Sequence, residues 1–270
     1  MKTLYLSDLD GTLLRSDLTL SDYTCRVIGE ITGNEIPFAF ATARSRTTAL
    51  KVTGGLTVPL PIIAYNGAFI VDTQTGEILH KTTFTPEQAE EIYSACRQQG
   101  LSPIVYRLVE GRERFSYDDT SVNRLTRDFI DSRGEDPRKD PLTGDSDILN
   151  GEAFYFNCIA QEAELRTAYE QLRGKYEALY YDDIYSGERW LEIMPKGATK
   201  ASAGLILKDM LGCGRIVAFG DTVNDIPLFE IADERYAVAN GDDRLKALAD
   251  EIIPANDEDG VAKKLEQLLL

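Results

Sequence analysis

The sequence predicts an α/β protein with a Rossmann-like, mostly parallel sheet as its core and an inserted α+β cap domain. Three observations carry this. Residues 1–84 alternate β-α-β-α-β, and the βα alternation returns near residue 190 and runs to the end. The strands of these outer segments read as near-continuous apolar runs, as expected of strands buried on both faces. The stretch between them, residues 85–189, breaks the alternation and reads as a separate α+β unit.

The elements run in this order. Residues 3–7 (TLYLS) form a first short strand. Ser21 caps a helix that Gly33 and Asn34 end. Residues 36–41 (IPFAFA) make the second strand, a helix starts near Ser45, and residues 61–64 (PIIA) make the third strand. Residues 68–71 and 78–84 flank a polar Asp-Thr-Gln-Thr-Gly turn and predict a hairpin. At Thr85-Pro86-Glu87-Gln88 a helix begins, with Thr as cap, Pro at the first helical position and Gln reaching back. Strands at 102–107 and 112–117, a helix near 120–132, a polar connection at 133–144 and a strand at 153–159 come next. A helix at 162–173 and strands at 176–182 and 189–194 complete the insert. The late segment predicts helix 199–211, strand 215–219, helix 226–232, strand 236–238, a short helix, strand 251–253 and a final helix.

Composition narrows the chemistry. Lys and Arg number 29 against 45 Asp and Glu, a net charge of −16, so nucleic acid and anionic membranes are poor partners. Any anionic substrate must be held by local groups or a metal rather than by the overall field. The only histidine is His80, which argues against a histidine-based triad and a His-rich zinc site. His80 falls on a hairpin strand and reads as structural. Cys25, Cys96, Cys158 and Cys213 form no CxxC pair and read as free thiols of a reducing cytosol. The opening residues turn acidic by Asp8, too early for a signal peptide, and no apolar run reaches the ~18 residues of a membrane span. A cytoplasmic protein is expected, a monomer by default with a dimer as the alternative.

In open α/β sheets the ligand crevice lies beyond the carboxyl ends of the strands. The residues just after each core strand are therefore informative. After the first strand comes Asp8-Leu9-Asp10-Gly11-Thr12: two carboxylates two residues apart, suited to Mg²⁺ and to nucleophilic attack on phosphorus. A calcium loop is excluded, because Thr12 stands at its fifth position and glycine comes fourth rather than sixth. After the second strand comes Thr42-Ala43-Arg44, a hydroxyl and a guanidinium able to bind an anion. Before the late helix, Lys196 and Lys200 are both candidates to neutralise a phosphoryl group. After strand 215–219 comes Gly220-Asp221-Thr222-Val223-Asn224-Asp225, two carboxylates and an amide in one loop, a hard-cation site by its oxygens. Taken singly, each also has a plain structural reading: a polar turn, a helix cap beside a surface arginine, solvated lysines, an Asn-Asp cap.

The four motifs in this order resemble those of the haloacid dehalogenase-like phosphohydrolase superfamily. The α+β insert between the second and third resembles its type IIB cap, and the nearest subgroup is the Cof-type sugar-phosphate phosphatases. Tyr65-Asn66-Gly67-Ala68, Leu191-Glu192-Ile193-Met194-Pro195 and Asn256-Asp257-Glu258-Asp259-Gly260-Val261 support this. The resemblance implies a Mg²⁺-dependent phosphatase of small phosphate esters, with sugar phosphates as the default class. Asp8 is then the nucleophile, and Asp10 the acid and base whose backbone carbonyl also binds Mg²⁺. Thr42 and Lys200 bind phosphoryl oxygens, and Asp221 and Asp225 complete the metal set of Asp8, Asp10, Asp221 and Asp225. Ala43, Arg44, Asn66 and Asn224 join Thr42 and Lys200 in substrate binding, and Lys196 is left to solvent.

Two positions depart from the family pattern: Ala43 replaces the glycine of Thr-Gly-Arg, and Thr222 replaces the second glycine of Gly-Asp-Gly. The chemical residues are intact, so activity is expected. A phosphomutase of the phosphomannomutase kind would share every core motif, but the acidic Asp118-Asp119 and Asp182-Asp183 in the insert argue against a second phosphate there. A catalytically weak regulatory homologue rests only on Thr222. In the insert, Arg107, Arg112, Tyr117 and Tyr185 are candidates to hold the leaving group.

Overall fold

The computed structural model describes residues 2–54, 56, 58–145, 147–182 and 188–270. They form two compact units, residues 1–81 with 198–270 and residues 82–197.

The opening segment contains β1 (Thr3–Ser7), α1 (Asp22–Gly33), β2 (Phe38–Phe40), α2 (Arg46–Val52), β3 (Ile62–Ala64), β4 (Phe69–Val71) and β5 (Ile78–Lys81). Residues Leu9–Leu13 make a wide turn directly after β1, with Gly11 at φ +72. Ser21 and Ser45 cap α1 and α2 as expected, accepting from Thr24 N and Thr48 N, and caps of this kind contribute about 1 kcal/mol each. The third strand behaves differently from the sequence expectation. Among the described residues, β3 touches the parallel sheet through the Ala41–Ile63 bridge and pairs antiparallel with β4, so β3-β4-β5 is a sheet of its own.

The insert contains α3 (Pro86–Gln98), β6 (Ile104–Val109), β7 (Arg112–Asp118), α4 (Arg124–Ser132), β8 (Lys139–Leu142), β9 (Glu152–Ile159), α5 (Glu162–Leu172), β10 (Glu177–Asp182) and β11 (Arg189–Met194). Thr85 and Gln88 form the expected capping box on α3. The strands build one sheet in the order β10-β11-β9-β6-β7-β8. Successive residues of β6 point to opposite faces. Val105 joins a core with Ile92 and Cys96 of α3 and Leu165 of α5, whereas Ile104 packs with Phe115, Tyr117 and Ile130 of α4. β8 lies within the stretch expected to be a loop. Its Lys-Asp-Pro-Leu sequence carries little strand signal, and Pro141 is tolerated because β8 is an edge strand.

Residues 82–84 and 190–197, expected with the core, belong to the insert's unit. Phe84 packs edge-on against Phe156 and Tyr176, and β11 pairs with both β9 and β10.

The returning segment contains α6 (Lys200–Met210), β12 (Arg215–Gly220), α7 (Ile226–Ile231), β13 (Glu234–Val238), α8 (Asp243–Lys246), β14 (Glu251–Ile253) and α9 (Gly260–Leu269). It completes an all-parallel sheet in the order β14-β13-β12-β1-β2. Leu4, Leu6, Ala39, Ala218 and Ala237 of these strands pack with Leu207 of α6 and Leu228 of α7. The chain leaves β1 toward β2 on one side and comes back as β12 on the other. This makes β1 the switch point of the sheet, where parallel α/β folds open a crevice. Ser7 and Phe219 are in register there, so the residues just beyond them emerge side by side.

Among the leaving-group candidates, Arg112 is exposed, Tyr117 is buried against Phe115, and Tyr185 lies outside the described residues. Arg107 is buried and committed within its own unit. It donates to Ser116 Oγ at 2.7 Å, to Asp140 Oδ2 at 2.7 Å, to the Asn150 carbonyl at 2.6 Å and to the Asp147 carbonyl. Its guanidinium ties β6 to β8 and to the 147–150 turn. Removing it takes the charge partner from Asp140, which keeps Ser116 Oγ, and a donor from two carbonyls, so Arg107→Ala destabilises the protein by about 1–3 kcal/mol. Denaturant unfolding followed by circular dichroism measures this. A leaving-group role would instead leave stability intact and raise KM.

Candidate active site

Asp8 directly follows β1. Its backbone N–H continues the ladder to the Phe219 carbonyl of β12 at 3.1 Å, which fixes where its side chain begins. Oδ1 accepts from Leu9 N at 2.7 Å, and Oδ2 lies 2.9 Å from Lys200 Nζ. Lys200 is the first residue of α6, and its ammonium also donates to Asp225 Oδ1 at 2.7 Å. Neither the Lys200 nor the Asp225 side chain has exposed surface, and that of Asp8 is 6% exposed. Losing one partner of such a buried ion cluster typically costs about 3–5 kcal/mol.

Asp225 has a second anchor: its Oδ2 accepts from Asp221 N at 3.0 Å and Thr222 N at 3.2 Å. The carboxylate therefore folds its own loop as well as holding Lys200. Asp221 is positioned from the opposite loop, by Thr12 Oγ1 at 2.8 Å from its Oδ1. Gly11 permits this approach. A Cβ there would stand 2.3 Å from Asp221 Oδ2.

One carboxylate oxygen from each of Asp8, Asp221 and Asp225 lies within 4.8 Å of the others. Burial pushes the Asp8 carboxyl up to about 7, with Lys200 pulling it down and Asp225 and Asp10 pushing it further up. Burial also raises Asp221 well above the usual carboxylate range, with Asp8 and Asp225 adding to the effect. Burial works against the Lys200 charge, but Asp225 and Asp8 outweigh it and its pKa is raised. Three buried carboxylates facing one ammonium leave an excess of negative charge. An all-oxygen donor set of this kind fits a hard divalent cation.

Asp10 is turned elsewhere. Arg44 grips both of its oxygens, Nε to Oδ2 at 2.7 Å and a terminal nitrogen to Oδ1 at 2.5 Å. The carboxylate cluster is thus Asp8, Asp221 and Asp225, while the Asp10 side chain belongs to a bidentate pair. Thr42 is fully buried at the end of β2, and its Oγ1 accepts from Arg44 N at 3.1 Å, which leaves the hydroxyl proton available to a ligand. Ala43 sits between them in the same turn. Lys196 is exposed, and Lys200 is the candidate lysine paired with the carboxylates.

Residues Tyr65–Gly67 join these parts. Tyr65 and Asn66 both take positive φ, 52 and 54. Tyr65 N donates to the Arg44 carbonyl at 3.1 Å and Asn66 N to the Thr42 carbonyl at 3.0 Å. Gly67 lies flat on the start of α6, where a Cβ would come within 2.1 Å of the Thr199 carbonyl. Asn224 Nδ2 reaches Asn66 Oδ1 at 3.2 Å. Asp8, Asp10, Thr42, Ala43, Arg44, Asn66, Lys200, Asp221, Asn224 and Asp225 therefore lie in the loops after β1, β2, β3 and β12 or at the start of α6, all within a single unit.

Sequence reasoning assigned no role to Thr12, Asn240 or Asn256. Asn240 Nδ2 holds the Gly11 carbonyl at 2.7 Å, and Asn256 Nδ2 holds that of Leu14 at 2.9 Å. Thr12 was visible within the Asp8–Thr12 motif, and Asn256 within the late acidic motif. Asn240 lies just after β13 and carries no local signal.

The sequence profile of the haloacid dehalogenase-like hydrolase family matches residues 5–265. A Haemophilus influenzae protein named as a phosphatase is 28% identical over 97% of this chain and 96% of its own length. The 5-amino-6-(5-phospho-D-ribitylamino)uracil phosphatase YitU of Bacillus subtilis is 23% identical over 96% of this chain and 95% of its own. A solved structure of a haloacid dehalogenase-like hydrolase from B. subtilis superposes with a TM-score of 0.81 at 21% identity, covering 100% of both chains, and so shares the fold. Matched nearly from end to end, and with the motif residues gathered at the switch point of its sheet, the chain belongs to the haloacid dehalogenase-like hydrolases.

Proposed function

We propose that this protein is a Mg²⁺-dependent phosphatase that hydrolyses small phosphate monoesters, sugar phosphates first among them, through a phosphorylated Asp8. The observation that carries the reading is the buried Asp8 carboxylate, aimed by Leu9 N and Lys200 and flanked by Asp221 and Asp225. The phosphatase names of the full-length relatives support the ester class. The YitU relative is named for a ribityl phosphate, which is in keeping with a polyhydroxylated leaving group.

In this reading an Asp8 oxygen attacks phosphorus and the bond to the leaving oxygen breaks. Asp10 donates a proton to that oxygen, and the alcohol departs. Water then attacks the phosphorus of the acyl phosphate, Asp10 takes a proton from it, and inorganic phosphate leaves with the Asp8 carboxylate restored. Asp8, Asp221 and Asp225, with the Asp10 carbonyl, would hold the Mg²⁺, which when bound neutralises charge on the phosphoryl oxygens. Lys200 and the Thr42 hydroxyl donate to those oxygens. Arg44 must release Asp10 for the acid step, and an incoming phosphoryl group is a competing partner for its guanidinium. Ala43, Asn66 and Asn224 line the loops around this point. The insert, residues 82–197, would choose the leaving group.

Phosphate release from a panel of small phosphate esters tests the reading. Wild type turns over with Mg²⁺ and stops with EDTA, and Asp8→Asn loses at least about a thousandfold, the scale of removing a nucleophile. Isomerised sugar phosphate in place of free phosphate would mark a mutase, and no turnover across the panel would sink the phosphatase reading.

The metal requirement also depends on pH. The Asp8 carboxyl, raised to about 7 by burial, keeps its proton below that pH, so proton and cation compete for it. The Mg²⁺ concentration for half-maximal rate therefore climbs as pH falls below about 7 and levels off above it. Steady-state rates titrated with Mg²⁺ across that range would count against this assignment if half-saturation did not move.

A further inference from the structure

Thr222, one of the two departures from the family pattern, has a partner that the phosphatase reading does not use. Its backbone is extended, φ −124 and ψ 177, so a side chain is accommodated there without strain. Its Oγ1 donates to Asn224 Oδ1 at 2.5 Å. Asn224 Nδ2 in turn donates to Asn66 Oδ1 at 3.2 Å. Asn66 is 3% exposed, takes φ +54, and is held from behind by its own N–H on the Thr42 carbonyl. Its neighbour Gly67 rests on the residue that precedes Lys200. Three polar side chains thus run unbroken from the loop that carries Asp221 to the turn that abuts both Thr42 and Lys200.

We propose that Thr222 is a positioning residue: its hydroxyl fixes the orientation of the Asn224 carboxamide, which ties the Asp221 loop to the Tyr65–Gly67 turn. A carboxamide is nearly symmetric in shape but not in chemistry. With the hydroxyl donating to Oδ1, the N–H₂ end faces the Asn66 oxygen and bonds to it. Without the hydroxyl the amide is free to turn over, and oxygen then faces oxygen. The tie is lost, and Thr42 and Lys200 are no longer held in register with Asp221. Asn224 in this arrangement is a strut between two loops, and its oxygen is already taken. The kinetic consequence rests on the phosphatase reading, whereas the side-chain orientation does not.

The test compares Thr222→Ser, Thr222→Val and Thr222→Gly in the full-length protein, with p-nitrophenyl phosphate as probe. Thr222→Val and Thr222→Gly lower kcat by about 3- to 10-fold, the worth of one hydrogen bond, while KM and Mg²⁺ half-saturation stay within about twofold and Thr222→Ser restores the wild-type rate. The second readout needs no turnover: the side-chain amide resonances of Asn66 and Asn224 in ¹⁵N-labelled protein move in Thr222→Val and hold in Thr222→Ser. A wild-type kcat in Thr222→Val, an equal loss in Thr222→Ser, or unmoved Asn66 resonances in Thr222→Val overturns the proposal. If wild type hydrolyses no ester, the phosphatase reading fails and the resonances alone decide the role of Thr222.

Discussion

The structure of this site depends on one ammonium buried between two carboxylates. Lys200 has no exposed side-chain surface, and it stands between Asp8 just after β1 and Asp225 in the loop after β12. Desolvating three charged groups costs several kcal/mol each unless their geometry compensates. Here the geometry is over-determined. Asp8 is also held by a backbone N–H, and Asp225 by two. The arrangement still leaves more negative than positive charge in a buried place, which is why Asp8 and Asp221 are pushed toward protonation. A site that is incomplete in charge is suited to receive a cation, and with it a dianionic ester that an acidic protein surface would otherwise repel.

Backbone close approach is the second constraint. The two loops that face each other across the switch point come near enough to share hydrogen bonds only because certain positions have no side chain. Gly11 lets the turn after β1 meet Asp221, and Gly67 lets the β3–β4 turn lie on the start of α6. Either glycine replaced by alanine would drive a methyl into a neighbouring oxygen, and Gly11 and Gly67 both hold positive φ as well. Asn66, in the left-handed region without being glycine, belongs to a residue type that tolerates it. These residues set the separations between the loops that carry Lys200, Thr42 and Asp221.

Much of this was legible in the sequence. The order of strands and helices came from apolar runs and caps, and Ser21, Ser45 and Thr85 cap the helices expected of them. Asp8, Thr42, Lys200 and Asp221 could be singled out because each stands just after a core strand or at the start of a core helix, and such positions share one edge of a parallel sheet. Partners were harder to see. Nothing local says that Arg44 closes on Asp10, that Asn240 holds the Gly11 carbonyl, or that Arg107 spends its donors on Asp140 and two carbonyls. Those contacts join residues far apart in sequence, which periodicity and capping rules do not report. β8 escaped because an edge strand with a proline has almost no pattern to read. The boundary between the units falls at Gly197 rather than near residue 190, because β11 and the helix start after it form one continuous motif in the sequence but divide between two units in space.

The central claim is that Asp8 itself takes the phosphoryl group. Rapid acid quench of the enzyme during turnover, with mass spectrometry of the tryptic peptide spanning residues 3–15, measures this most directly. The account predicts a phosphoryl adduct on that peptide that forms at least as fast as phosphate is released and is absent from Asp8→Asn. Turnover with no adduct there, or an adduct that Asp8→Asn leaves in place, would contradict it.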